Sequence, residues 1–382
     1  MLKKCLLAIF AFLAFFTLTG CSLQNKAKIP FMIFIDENFI PGREPTEAEL
    51  QRPDRKKAIL GFWDLETGKV SFAEKPLFRI EMISASPDMY WDGGRRVVLT
   101  TTPYEASSVI IKDPHPKYAV EKIIFPARPG ITLALSNSSA VINVSIREVP
   151  EERGKIFVEI RQKDDVRKTT LKIPPFPGED PYPPHIFMPF APLLISGSPE
   201  NYNLLITYEC SFQGKHGASL LLANVRGDKV NWKKVEGVKR GYIAGAGSQQ
   251  AILGKSIYLA TDIVEVINLE SKPLAIKDYK PANELVRQIE DKALRALEGS
   301  LQLSLGSFGN TLLVGAPLSS EEHVIWAIQD NQCQGKMYID RKQQKIMVYR
   351  KNILTDEKPL PEGSCGLRWP TQDCGTLWNY IP

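Results

Sequence analysis

Apolar and polar positions alternate in short bursts along most of this chain. Runs rich in Val, Ile, Leu and aromatic residues are broken by Gly, Pro, Asn or Asp roughly every ten positions. Short period-two runs bounded by turn residues predict antiparallel strands. The clearest hairpin is Ala58–Trp63, a turn over Asp64–Gly68, then Lys69–Phe72. Gly68 supplies the positive φ that such a turn needs, and Asp64 is placed to accept backbone N–H groups. The same design recurs from Ser219–Ala223 to Lys229–Val235, from Ile263–Ile267 to Leu274–Ile276, and from Lys336–Ile339 to Lys345–Tyr349. Looser copies sit at Asp113 and Asp164. The turns at 64, 113, 164, 224, 268 and 340 are spaced by about 55 residues, near the ~40–50 of one four-stranded propeller blade with insertions. A single segment has helical period: Asn283 is placed to cap a run with Leu285, Ile289, Ala293 and Leu297 on one face, and Gly299 ends it.

A second internal likeness supports a repeat. Ile83-Ser-Ala-Ser-Pro-Asp88 precedes the strand pattern Arg96–Thr100, and Ile195-Ser-Gly-Ser-Pro-Glu200 precedes Leu204–Thr207. The first copy, continuing into Asp92-Gly-Gly-Arg-Arg96, resembles the Ser-Pro-Asp-Gly-Arg turns of WD40-like propellers. The expected fold is therefore all-β: a β-propeller of six or seven blades with one inserted helix. Phe31–Asp36 is expected to supply a strand that closes the ring with the C-terminal blade. The alternative is two β-sandwich-like domains divided at 174–192, a stretch with eight prolines. A ring of blades shares its core among sectors, so 382 residues do not require two domains.

The N-terminus sets the expected compartment. Lys3 and Lys4 precede a 14-residue apolar run, Cys5–Leu18, followed by Thr19-Gly20-Cys21-Ser22. That is the layout of a secretory signal peptide, and the run is short for a membrane span, which needs ~20 residues. Leu18-Thr19-Gly20-Cys21 resembles the bacterial lipobox. The resemblance implies a bacterial lipoprotein, cut before Cys21 and acylated on the Cys21 thiol. It divides the chain into a signal peptide (1–20), a lipidated N-terminus and tether (21–30), and a propeller-like body (31–382). More than one acyl chain makes such an anchor stable. Ser22 resembles an outer-membrane sorting residue in a host with two membranes. Losing Lys3 and Lys4 lowers the net charge from +5 to +3, too mild to suggest a nucleic-acid partner.

Of six cysteines, Cys210, Cys333, Cys365 and Cys374 remain in the body. Outside the cytoplasm they are disulfide candidates. Cys365 with Cys374 is the preferred pair, since glycines and Pro370 turn the chain between and around them. Cys210 with Cys333 is the second choice.

Catalytic patterns do not emerge. His115, His185, His216 and His323 have no second ligand at metal spacing, and Glu321-Glu322-His323 is not the two-histidine zinc arrangement. Gly306-Ser307-Phe308-Gly309 lacks the first glycine of a nucleophile elbow. No metal, cofactor or catalytic residue is therefore assigned. Lys233, Lys234, Lys239 and Arg240 read as a solvated hairpin. Trp63, Trp232 and Trp326 read as packing residues, and Trp91 and Trp369 as candidates for exposed loop contacts. The expectation is a lipid-anchored, non-catalytic binding or scaffolding protein at the cell envelope. Its partners would be the membrane, through Cys21, and an envelope protein or polymer. An extracytoplasmic carbohydrate-active hydrolase or lyase is the alternative.

Overall fold

The computed structural model describes residues 28–35, 54–74, 78–82, 89–91, 96–102, 105–110, 117–119, 130–134, 140–146, 155–162, 165–174, 193–198, 200–212, 215–237, 249–260, 262–297, 303–319, 321–369, 371–372 and 377–379. Among them the chain is nearly all-β, with 29 strands in six sheets and one helix. Sheet 1 holds β1 (Ile29–Ile35), β2 (Asp54–Asp64), β3 (Lys69–Phe72) and β4 (Phe78–Met82). Sheet 2 holds β5 (Met89–Trp91), β6 (Arg96–Thr102), β7 (Glu105–Ile110) and β8 (Lys117–Ala119). Sheet 3 holds β9 (Gly130–Ala134), β10 (Ala140–Ile146), β11 (Lys155–Gln162) and β12 (Asp165–Lys172). Sheet 4 holds β13 (Leu193–Ser198), β14 (Asn201–Phe212), β15 (Lys215–Arg226) and β16 (Lys229–Val235). Sheet 5 holds β17 (Gln249–Leu253), β18 (Ser256–Ala260), β19 (Val264–Asn268) and β20 (Ile276–Asp278). After α1 (Lys280–Leu297), sheet 6 is a six-stranded meander of β21 (Ser304–Phe308), β22 (Thr311–Pro317), β23 (Glu322–Gln329), β24 (Gln332–Asp340), β25 (Lys345–Arg350) and β26 (Ile353–Pro359). The last three strands return to earlier sheets. β27 (Ser364–Arg368) pairs with β1, β28 (Thr371–Gln372) with β5, and β29 (Leu377–Asn379) with β9.

The turns form for the reasons their residues suggest. The Asp64 carboxylate accepts the Glu66 and Thr67 N–H groups at 2.9 and 3.0 Å, and Gly68 sits at φ 67°. Asn268 accepts the Glu270 N–H at 2.9 Å, and Asp340 accepts the Gln343 N–H at 2.8 Å. These short side chains replace backbone partners that the turn removes. Asp113, Asp164 and Ile83–Asp88 lie outside the described residues.

Period-two alternation sends side chains to both faces of each sheet, so one sheet feeds two cores. Ile156, Val158 and Leu171 of sheet 3 meet Tyr202, Leu204 and Val225 of sheet 4. The opposite face of sheet 4, with Leu205, Leu220 and Leu222, meets Ile252, Ile257 and Leu259 of sheet 5. Sheet 5 and α1, through Tyr258, Ala282 and Val286, meet Leu312, Val314 and Trp326 of sheet 6. The other face of sheet 6, with Leu313, Ile325, Met337 and Val348, meets sheet 1. Sheets therefore stack in the order 3-4-5-6-1. Sheets 3 and 4 share a core across 174–192, so the alternative of two sandwich-like domains divided there does not hold.

β1 is the centre of sheet 1. All seven of its residues are buried, and it lies between β2 and β27, so residues 29–35 and 364–368 share one sheet. It begins at Ile29 rather than Phe31. Pro30, which has no N–H, lies where β2 alone pairs with β1, since β27 covers only Met32–Ile35. Phe31 is fully buried beside Trp369, with ring centroids 5.3 Å apart, and edge-on to Phe72 at 6.2 Å. Trp369 is thus a core residue and not an exposed loop contact. The chain positions it directly after β27, where only β1 and its neighbours offer cover.

The helix differs from expectation at its start. It opens with Lys280-Pro281, where a proline costs nothing because first-turn N–H groups have no helical partner. Asn283 is inside the helix and buried. Its Oδ1 accepts the Val264 N–H at 2.7 Å, and its Nδ2 donates to the Val264 carbonyl oxygen at 3.0 Å. Asn283 pins α1 to the edge of β19 instead of capping the helix.

A tight contact in sheet 1 is testable. A Cβ placed on Gly61 would lie 2.3 Å from the Phe31 ring. Gly61→Ala should destabilise by about 1–3 kcal/mol through overpacking. The same change in a Phe31→Leu background should cost clearly less. Denaturant midpoints of the four proteins in this cycle give the coupling, and strict additivity would refute the contact.

Candidate functional site

Among the described residues, a group of interacting ionisable side chains that includes a histidine lies at one end of sheet 6. The β22–β23 loop folds on itself: the Leu318 N–H donates to the Glu322 carbonyl oxygen at 2.7 Å. Ser319 Oγ accepts the Glu321 and Glu322 N–H groups at 3.2 and 3.0 Å. The Arg341 N–H donates to the Glu321 carbonyl oxygen at 2.9 Å, which ties this loop to the β24–β25 turn. Register then places Glu322 opposite Asp340 and His323 opposite Ile339. The Arg341 guanidinium lies 3.5 Å from the Glu321 carboxylate, both side chains about a quarter exposed (24% and 27%). His323 completes the group. Burial, and then the Arg341 charge, push its imidazole down to about 4.

Near neutral pH the site therefore presents a neutral imidazole beside an Arg–Glu pair. Imidazole offers one donor and one acceptor, guanidinium offers donors, and carboxylate offers acceptors. Such a set suits hydrogen bonding to a polar group. It does not suit proton transfer near pH 7, because a base of pKa about 4 holds few protons there. The Ser319 hydroxyl oxygen is occupied with backbone N–H groups. Sequence spacing alone had set His323 beside Glu321 and Glu322. Its partner Arg341 was hidden, because only the β23–β24 hairpin register brings the two together.

The other anticipated residues fare differently. Cys21 and Cys374 lie outside the described residues, as do His115, His185, Lys239 and Arg240. Cys365 is in β27, at the point where the register shifts from Phe34–Gly366 to Ile35–Ser364, and so is the extra residue of a bulge. Cys333 is a free, exposed thiol, so the Cys210–Cys333 bridge is not formed. Its sulfur contacts the Gly335 carbonyl oxygen at 3.5 Å, while Cys210 pairs with Gly217 in another sheet. Trp63 and Trp326 are core residues, at 0% and 4% exposure, and Trp232 packs on the core of sheets 3 and 4. Lys233 and Lys234 are exposed on β16, at the edge of sheet 4. Among the described residues no group of three or more His, Cys, Asp or Glu side chains converges on a point that would hold a metal ion.

No protein-family model matches the chain, and no curated protein matches it. Solved structures with similar overall arrangement include a periplasmic gluconolactonase of Pseudomonas aeruginosa, at 10% identity and TM-score 0.40, covering 90% of this chain and 99% of that one. A post-proline cleaving enzyme of Rickettsia typhi is similar at 6% identity and TM-score 0.36, over 90% of this chain and 54% of that one. The WD40 domain of SCAP from fission yeast is similar at 9% identity and TM-score 0.26, over 80% of this chain and 63% of that one. At these TM-scores the likenesses carry no functional argument.

The His323 environment predicts a pH effect. Its folded value is below the ordinary 6.5, so between about 4 and 6.5 the unfolded chain binds more protons than the folded one. Stability should fall as pH drops through that window, by up to about 3 kcal/mol before allowing for the exposed edge of the ring. His323→Gln should remove this part of the loss. Unfolding free energies at pH 7 and pH 4 for both proteins give the difference, and equal losses would refute the assignment.

Proposed function

We propose that the six sheets are the blades of a six-bladed β-propeller, and that the protein is a lipid-anchored, non-catalytic binding protein on the outer side of a cell membrane. The stacking order 3-4-5-6-1 supports the ring, because the last sheet packs on the first. The tail continues the circuit as β27, β28 and β29 join sheets 1, 2 and 3 in turn. The anchor rests on Leu18-Thr19-Gly20-Cys21, with Cys21 as the acylated residue.

The tail also supports binding over catalysis. β28 approaches β5, β17 and β21, which begin three different sheets. In a propeller those first strands surround the axis, where a catalytic funnel would open. In this reading β28 would occupy part of that place. Binding would then fall to loops and hairpin tips at the two ends of the ring. The Glu321–His323–Arg341 group is one such end-face site, suited to a polar envelope partner.

One expression experiment tests the reading. Radiolabelled palmitate should label the wild-type protein, whereas Cys21→Ser should lose the label and accumulate as uncleaved precursor. Wild-type protein drawn from detergent-solubilised envelopes should bring a protein or polymer with it. Label that survives Cys21→Ser contradicts the anchor. Degradation of an envelope polymer with nothing retained contradicts the binding role.

A further inference from the structure

Three large apolar side chains are exposed among the described residues: Val166, Ile353 and Leu354. Two of the three are adjacent, and they sit at one hairpin tip. β25 turns into β26 through Lys351 and Asn352, at φ 48° and 64°, with Arg350 paired to Ile353. Ile353 (68% exposed) and Leu354 (47% exposed) are the first two residues of β26 after this tight turn, on the edge strand of sheet 6, with their side chains on opposite faces of the strand. Apart from Val166, the large apolar side chains among the described residues are buried or partly buried, so two exposed ones at a single hairpin tip mark a contact surface more readily than a lone residue does.

The position of the tip gives the pair a partner. The Arg350 guanidinium donates to the Glu66 carbonyl oxygen, and the Thr355 hydroxyl donates to the Gly68 carbonyl oxygen at 2.9 Å. One step along, the Val70 N–H donates to Asp356 Oδ2 at 2.8 Å, and the Lys358 ammonium donates to the Val70 carbonyl oxygen. The β25–β26 tip and the β2–β3 turn are therefore side by side at one end of sheets 6 and 1. β1 starts at that same end, because Ile29 is opposite Trp63, one residue before the turn begins to leave the sheet. Residues 22–28 join Ile29 to Cys21, and seven residues reach at most about 25 Å. Acyl chains on Cys21 would therefore keep this end of the body close to the membrane.

We infer that the Arg350–Leu354 hairpin tip is a second membrane contact, in which Ile353 and Leu354 enter the lipid–water interface beside the anchored Cys21. This rests on the lipid-anchor reading of Cys21. The tether keeps the tip at a high local concentration of lipid, so a weak apolar contact is enough to fix orientation. Arg350, Lys351 and Lys69 outnumber Glu66 among the exposed charges nearby, which favours anionic head groups over neutral ones. Contact at the tip would turn the opposite end of sheet 6, with Glu321, His323 and Arg341, away from the bilayer.

The test uses the full-length protein processed in cells and reconstituted in vesicles of phosphatidylcholine and phosphatidylglycerol with brominated acyl chains. Ile353→Trp should show quenching in excess of the unsubstituted protein, together with a blue-shifted emission. Val166→Trp, at an exposed apolar site on β12, should show no excess. Palmitate labelling of the same samples reports the anchor separately. Label present with no excess quenching at 353, or with equal excess at 166 and 353, overturns the tip contact and leaves the anchor standing. Loss of label in the processed protein overturns the anchor and the contact with it. Circular dichroism of each variant should match the parent, and Ile353 is exposed enough that replacement by tryptophan leaves the core untouched.

Discussion

Everything else in this fold leans on the pairing of β1 between β2 and β27. A strand buried along all seven residues must be covered on both faces and both edges. β2 and β27 cover its edges, while sheet 6 and the Phe72 and Trp369 rings cover its faces. The arrangement joins residues 29–35 to residues 364–368 in one sheet, against which sheet 6 packs. Side chains reinforce the boundary between sheets 6 and 1. Asp356, Thr355, Lys358 and Arg350 of sheet 6 satisfy backbone groups on β3 and its turn, which would otherwise form an open sheet edge. The apolar core and the polar seam thus act on the same boundary, one by burial and the other by removing a template for pairing with foreign strands.

Much of this was legible because hairpins are local. Asp64, Asn268 and Asp340 announce their turns by short side chains that replace backbone partners, and the strands around them follow. Lys69–Phe72 and Lys229–Val235 have the boundaries that the pattern predicts. What was hidden is long-range. Trp369 among Gly, Pro and Asp neighbours reads as a loop aromatic, and only the return of β27 to β1 buries it against Phe31. Asn283 reads as a cap by its place before an amphipathic run, yet the edge of β19 offers it a donor and an acceptor at once. Arg341 beside Glu321 and His323 depends on hairpin register, which no single-residue pattern carries. Cys333 was a poor disulfide candidate for the same reason, since its sheet and that of Cys210 are different.

The functional picture has two ends. At one, the start of β1, the β2–β3 turn and the exposed Ile353–Leu354 tip lie together and would face the proposed membrane. At the other, a neutral imidazole and an Arg–Glu pair offer hydrogen-bond donors and acceptors. Between these ends β28 approaches β5, β17 and β21, the first strands of three sheets, and the proposed propeller therefore leaves recognition to the ends of the ring. The high proline and glycine content, 28 and 26 residues, fits a molecule built largely from short strands joined by turns.

Native-state hydrogen exchange at β1 addresses the central claim most directly. If β1 closes the circuit, its amides exchange only when the whole structure opens, with the same free energy as those of β22 through β25. Exchange of β1 through a local opening that leaves sheet 6 protected would contradict the account, because the chain ends would then be an accessory to the fold and not its closure.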